Sequence, residues 1–149
     1  MMGRLHAGAG IVALLTILSF WTATVISEWA GDAAGIVAVK QAILWGMAVL
    51  IPAMIAVGVS GAVLAKGRRG ALIARKQRRM PVIALNGLLI LVPCAIFLAA
   101  KAEAGQFDSR FVVVQIVELV AGGVNLVLIS LNLRDGLSLS RARTKPAAH

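Results

Sequence analysis

Four long apolar segments alternate with short polar connections along the chain, at about residues 7–27, 36–65, 80–100 and 111–133. A helix needs about 20 residues to cross the hydrocarbon core of a bilayer, and each segment reaches about that length or exceeds it. The apolar runs are continuous, so they lack the alternation of polar and apolar residues that marks transmembrane β-strands. The pattern predicts an all-α integral membrane protein with one domain, a four-helix transmembrane bundle of up-down-up-down topology.

The second segment and the C-terminal stretch depart from a simple span. The second segment is longer than one bilayer crossing, and Pro52 near its middle can kink the helix because proline removes a backbone donor. The stretch over about residues 141–149 is rich in basic and small residues. It offers little apolar surface for packing, so we expect a flexible tail there.

The composition indicates that lipid is the solvent of this chain. Of its 149 residues, 60% are hydrophobic and 14% are charged, whereas a soluble domain has about 25% charged residues. A soluble protein of this size could not bury so much apolar surface, since small domains leave a large part of their chain exposed.

The basic residues lie mostly on one side of the predicted bundle. Residues 66–79, between the second and third segments, include seven Lys and Arg residues and no acid. Arg4 precedes the first segment, and Arg134 and three further basic residues follow the fourth. Cytoplasmic loops carry an excess of Lys and Arg. We therefore expect a multi-pass protein of a bacterial-type inner membrane with both termini in the cytoplasm.

The net charge of +9 would suggest a nucleic-acid partner in a soluble protein. Here the charges lie beside apolar segments, which argues against nucleic acid. The basic residues of the stretch 66–79 have two interpretations. They could contact anionic lipid headgroups, which attract basic residues at about 1 kcal/mol each, or they could serve only as a topology signal. The residues that we assign to headgroup contact are Arg68, Arg69, Arg75, Lys76, Arg78 and Arg79.

Polar residues inside the apolar segments are the best functional candidates, because each is costly in lipid. Gln115, Glu118 and Asn125 are spaced to lie on one face of the fourth helix. Three interpretations of Glu118 stay open: a structural partner of Lys40, a protonatable group on an ion or proton path, or a neutral carboxyl group that donates a hydrogen bond. Lys40 lies near the start of its helix, so it could also reach the outer interface without any partner.

Asn86 and several small residues indicate contacts between helices. An amide side chain inside a membrane helix most often makes an interhelical hydrogen bond, and we expect one from Asn86. Small residues such as Gly58, Gly61 and Gly122 let helix backbones approach each other. They indicate either packing within one bundle or a homodimer.

The three tryptophans divide by their predicted depth. Trp21 and Trp29 lie toward the outer ends of their segments, where aromatic residues commonly form a belt at the interface. Trp45 lies deeper, and we expect it to pack inside the bundle or to line a site.

No catalytic motif stands out in the sequence. The chain has one cysteine and two histidines, so we expect neither a zinc site, which needs about four converging ligands, nor nucleophilic catalysis. No cofactor is predicted, with haem b as the one alternative, since a b-type haem needs axial ligands on facing helices. His6 and Met80, at the starts of the first and third segments, could supply them, although an interfacial histidine and methionine would have the same positions.

Three functions remain open at this point. The leading expectation is a small, non-enzymatic inner-membrane subunit or accessory or assembly factor, which contacts a membrane-protein partner or a second copy through its helices. One alternative is a proton- or ion-coupled small transporter that uses Glu118. The other is a haem- or quinone-binding redox subunit that uses His6 and Met80.

Overall fold

The computed structural model describes residues 1–66 and 70–144, with side chains as far as Ser138. Short connections join consecutive helices, so the chain reverses direction after each one. The predicted all-α four-helix bundle is confirmed. Its helices are α1 Met2–Ala30, α2 Ala33–Ala65, α3 Ala71–Glu103 and α4 Ser109–Thr144.

All four helices are long and apolar enough to cross a membrane. Large hydrophobic side chains cover their outer surfaces, and Trp45, Val120 and Val127 are each at least 60% exposed. A soluble monomer rarely exposes a contiguous apolar patch of more than a few hundred Å², so this surface belongs in lipid. The chain is a multi-pass membrane protein, whereas the inner membrane and the cytoplasmic termini stay predictions.

The helices extend beyond the apolar segments. Much of the basic stretch between the second and third segments is helical, because α3 begins at Ala71, and the connection itself is only residues 66–70. Arg68 and Arg69 of that connection lie outside the described residues. Helix α4 continues into the predicted tail, and residues 145–149 of the tail also lie outside the described residues.

Aspartate side chains fix the starts of α2 and α4, from the connections that precede these helices. The Asp32 carboxylate accepts hydrogen bonds from the backbone N–H groups of Ala34 and Gly35, at 3.2 and 3.0 Å. The Asp108 carboxylate accepts one from the N–H of Phe111 at 3.0 Å. These contacts satisfy amide groups that the first turn of a helix leaves unpaired.

A π-helical turn, Gly87–Leu91, interrupts α3. The N–H of Val92 donates to the carbonyl of Gly87, five residues earlier. Pro93 follows directly and has no N–H, so the α-helical bond that would end at residue 93 cannot form, which favours the wider turn. Helix α2 contains Pro52 and stays α-helical through it.

The helices separate at one end of the bundle. We call the end where α1 begins the inner end, and the opposite end the outer end. Helix α2 packs mainly along α1 and against the outer part of α3, Val92–Glu103, but has few contacts with the inner part, Ala71–Asn86. Helix α4 contacts α1 and both parts of α3. At the outer end, the bundle closes around a buried cluster of Ile36, Leu98, Ala102 and Phe111.

Candidate functional site

A cavity of about 640 Å³ lies where α2 and the inner part of α3 separate. Its walls are almost entirely apolar, and residues of α1 and α4 complete them. Its volume falls within the range of about 300–1,000 Å³ that is usual for small-molecule sites. The apolar residues of the walls include Leu50, Met54, Ile55, Met80, Leu88 and Leu91.

Glu118 lines the cavity toward its outer end and forms an ion pair with Lys40. The Lys40 Nζ lies 2.6 Å from Glu118 Oε2, and Gln115 Nε2 donates to the same oxygen at 3.3 Å. The side chains of Lys40 and Glu118 are 1% and 12% exposed. Lys40 therefore does not reach the outer interface, and the pair joins α2 to α4 as the structural interpretation of Glu118 predicts.

Two further carbonyl or carboxylate oxygens near this pair are unpaired. Oε1 of Glu28 and Oε1 of Gln115 are buried and accept no hydrogen bond from the described residues. Glu28 is a charged neighbour of both Lys40 and Glu118, so two carboxyl groups lie near one ammonium group. The sequence indicates only an interfacial position for Glu28, because it follows the first apolar segment.

Asn86 and Asn125 join α3 to α4 midway along the cavity. The Asn86 Nδ2 donates to Asn125 Oδ1 and to the carbonyl of Ala121, both at 2.8 Å. The Asn125 Nδ2 donates back to the carbonyl of Ile83 at 3.3 Å. Asn86 makes the interhelical hydrogen bond expected of it. Together, the hydrogen bonds of Asn86 and Asn125 hold α4 against the turn that precedes the π-helical segment.

At the inner end, His6 of α1 links Ser60 of α2 to Lys76 of α3. Its Nδ1 lies 2.9 Å from Ser60 Oγ, and its Nε2 lies 2.9 Å from Lys76 Nζ. An ammonium group can only donate, so Nε2 is the acceptor and Nδ1 carries the proton. Ser60 donates in turn to the carbonyl of Ala56. One consistent donor–acceptor chain thus joins three helices, and both His6 and Lys76 line the cavity.

The basic residues of α3 divide into two groups. Arg75 and Arg78 are exposed, as headgroup contact requires. The Arg79 Nη1 lies 2.8 Å from the Oδ2 of Asp135 on α4, which is 6% exposed. Contact of Arg79 with headgroups stays a prediction. Lys76 is partly buried and forms no ion pair with a carboxylate of the described residues.

His6 and Met80 both line the cavity, but each already has partners in the chain. Both ring nitrogens of His6 make hydrogen bonds, and the Met80 Sδ accepts one from Asn132 Nδ2 at 3.5 Å. Within the described residues, no group of three or more His, Cys, Asp and Glu side chains could hold a metal ion. Haem ligation stays a prediction, and a Soret band that disappears in His6→Ala would support it.

Glycines show where the bundle is tightly packed and where it is open. A Cβ atom at Gly61 would lie 3.2 Å from His6 Cε1, and one at Gly122 would lie 3.2 Å from Trp21 Cδ1. These two glycines therefore serve packing within the chain. Gly58 differs, because it lines the cavity and a Cβ atom there would meet no other atom within 4 Å.

The structure reverses the expected places of two tryptophans. Trp45 is 80% exposed, so the expectation that it packs inside the bundle or lines a site is wrong. Trp21 lines the cavity, and its Nε1–H donates to the carbonyl of Leu119 on α4 at 3.0 Å. Helices that are apolar on every side carry no signal for which face turns inward, so depth alone could not separate these two residues.

Comparisons with known proteins give this chain no relative. No family model, no curated protein and no solved structure matches it. Its function is therefore inferred from the cavity and the polar groups at the cavity's two ends.

Proposed function

We propose that this is a non-enzymatic membrane protein that binds an apolar molecule within the bilayer, in the cavity between α2 and α3. The observation that supports this is a space of about 640 Å³ with apolar walls, between two helices that have few contacts at that level. Lipid tails are as apolar as these walls. Binding would therefore depend on shape and van der Waals contact rather than on the hydrophobic effect.

The cavity volume is in the usual range for a small molecule. At about 640 Å³, it lies between the limits of about 300 and 1,000 Å³ that small-molecule sites commonly have. The proposal is a narrower form of the accessory role expected from the sequence, because the protein holds a ligand without converting it.

The contacts of Glu118 support a structural role for this residue. Its carboxylate accepts hydrogen bonds from Lys40 and Gln115 of the same chain, and a group that couples transport to ions must exchange its partners in every cycle. Transport coupled to Glu118 therefore stays a prediction. Unchanged flux after Glu118→Gln would contradict it.

Photo-crosslinking tests the proposed cavity site directly. The protein is reconstituted in neutral lipid vesicles with a long-chain alcohol that carries a diazirine, and crosslinked residues are mapped by mass spectrometry. We expect crosslinks concentrated at Met54 and Met80 that excess unlabelled alcohol suppresses. Crosslinks spread evenly over lipid-facing residues such as Val120 and Val127, without saturation, would contradict the proposal.

A matched pair of glycine variants controls this experiment. Gly58→Phe places a bulky side chain in the open part of the cavity, where a Cβ atom meets no neighbour within 4 Å. Gly8→Phe adds the same group to α1 at a position with equal space that does not line the cavity. We expect the first variant to lose the cavity crosslinks and the second to keep them. Equal effects of the two variants would argue against a site in the cavity.

A further inference from the structure

We infer that the cavity holds an anionic phospholipid, with an acyl chain against the apolar walls and the phosphate group against Lys76. The inference rests on the proposed function and adds the chemical class of the ligand. It joins two observations that the structure places side by side at the inner end: an apolar cavity and an ammonium group that lines it.

Lys76 has donor capacity that its own chain does not use. An ammonium group has three N–H donors, and His6 Nε2 accepts one of them at 2.9 Å. No carboxylate of the described residues forms an ion pair with Lys76, and the nearby Asp135 is paired with Arg79. Charged N–H groups make their strongest hydrogen bonds to anionic oxygens, so a phosphate group complements the two remaining donors.

The hydrogen bonds of His6 hold Lys76 in place at the cavity. His6 is itself fixed by Ser60 on α2, so the ammonium group is anchored from two neighbouring helices. A lysine held in this way loses less side-chain freedom when a ligand binds, because part of its ordering is already complete. His6 and Ser60 are positioning residues for the headgroup contact.

The position of Lys76 along α3 matches the level of lipid headgroups. It lies between the exposed Arg75 and Arg78, just before the apolar part of the helix. The cavity wall extends along α3 from Ile73 to Ala95, which is roughly 33 Å at 1.5 Å per residue. One leaflet of the hydrocarbon core is about 15 Å deep, so an acyl chain that starts at Lys76 reaches the bilayer midplane inside the cavity.

The charge of Lys76 selects an anionic headgroup over a zwitterionic one. Lys76 forms no ion pair with a carboxylate of the described residues, and a zwitterionic headgroup carries a positive charge of its own, which weakens its attraction to a basic side chain. A free inorganic anion would leave the apolar walls without contacts. A phospholipid of the adjacent leaflet satisfies the ammonium group and the walls together.

The experiment compares phosphatidylglycerol and phosphatidylcholine that carry the same diazirine-bearing acyl chain, in vesicles of matched composition. We expect roughly fivefold more crosslinking at Met54 and Met80 with phosphatidylglycerol, the factor that corresponds to about 1 kcal/mol. Lys76→Gln should remove this preference, and Lys76→Arg should keep most of it. Arg4→Gln, which removes an exposed charge of α1 that does not line the cavity, should change it little.

The outcomes separate this inference from the proposed function. Equal crosslinking of the two lipids at Met54 and Met80, unchanged by Lys76→Gln, would overturn the anionic ligand and leave an apolar cavity site. Crosslinks of neither lipid at these residues would overturn both. Equal losses of preference in Lys76→Gln and Arg4→Gln would show attraction to the basic surface alone and would also overturn the inference.

Discussion

The ion pair between Lys40 and Glu118 gives the sharpest prediction for the stability of the bundle. At 2.6 Å and an effective dielectric constant of about 20, the attraction between two unit charges is roughly 6 kcal/mol. Removing each ion from water costs several kcal/mol, so the intact pair contributes little net stability. Breaking it is different, because removal of one partner leaves a buried charge uncompensated at a cost of about 3–5 kcal/mol.

We therefore expect Glu118→Gln to lower the free energy of unfolding by about 3 kcal/mol. The lower end of the range applies because Glu118 is 12% exposed and Glu28 remains as a second carboxyl group near Lys40. The double variant Lys40→Met, Glu118→Leu should recover to within about 1 kcal/mol of the unmodified protein, since apolar residues of similar volume replace buried ion pairs with little loss.

The assay is reversible unfolding in mixed micelles with an increasing mole fraction of sodium dodecyl sulfate, followed by far-ultraviolet circular dichroism. Glu103→Gln is the matched control, because Glu103 is an exposed acid that accepts a hydrogen bond from Gln41. This substitution should change the free energy of unfolding by less than about 0.5 kcal/mol. If Glu118→Gln also stayed within that margin, the pair would not be buried as described. A double variant as unstable as the single one would show that the loss of stability does not come from an uncompensated buried charge.

Two further predictions concern the amide cluster and the outer connection. Asn125→Leu should lower the free energy of unfolding by about 0.5–2 kcal/mol in the same assay, the range measured for interhelical hydrogen bonds in membranes. The reason is that it removes the hydrogen bonds to Asn86 and to the carbonyl of Ile83. An unchanged free energy would mean that these bonds do not join α3 to α4. The hydrogen bond from Lys101 holds the pKa of Asp108 below its ordinary value, so its stabilisation is complete above that value and is lost as the pH falls through the folded-state pKa. Relative to the intrinsic exchange rate at each pH, the protection of backbone amides at the start of α4 should accordingly fall at acidic pH. A pH profile of protection that is unchanged in Asp108→Asn would contradict this.

The number of helices and their apolar spans could be predicted because a chain in lipid has few ways to pair its backbone groups, whereas the helical extensions beyond these spans were not predicted. Backbone groups in hydrocarbon must be satisfied within the segment, so long apolar runs become helices whatever their detailed sequence. The partnership of Lys40 and Glu118 was also open to prediction, since two opposite charges at similar depth on different spans have few other ways to be satisfied.

The inner end of the cavity could not be predicted in the same way. The chain from Lys76 through His6 to Ser60 depends on how three helices are rotated about their axes, and α1 and α2 are apolar on all sides. The same missing signal explains why Arg79 turns inward to Asp135 although its sequence neighbours mark it as a surface residue. A hydroxyl group such as that of Ser60 also stands out little in a sequence, because serine can bond to its own helix.

The most direct test of an occupied cavity is native mass spectrometry of the protein released from bilayer nanodiscs that contain phosphatidylglycerol and phosphatidylcholine. We predict that the unmodified protein and Gly8→Phe each retain one phosphatidylglycerol molecule, and that Gly58→Phe retains none. Equal lipid retention by all three proteins, or no retained lipid in any of them, would contradict an occupied cavity between α2 and α3.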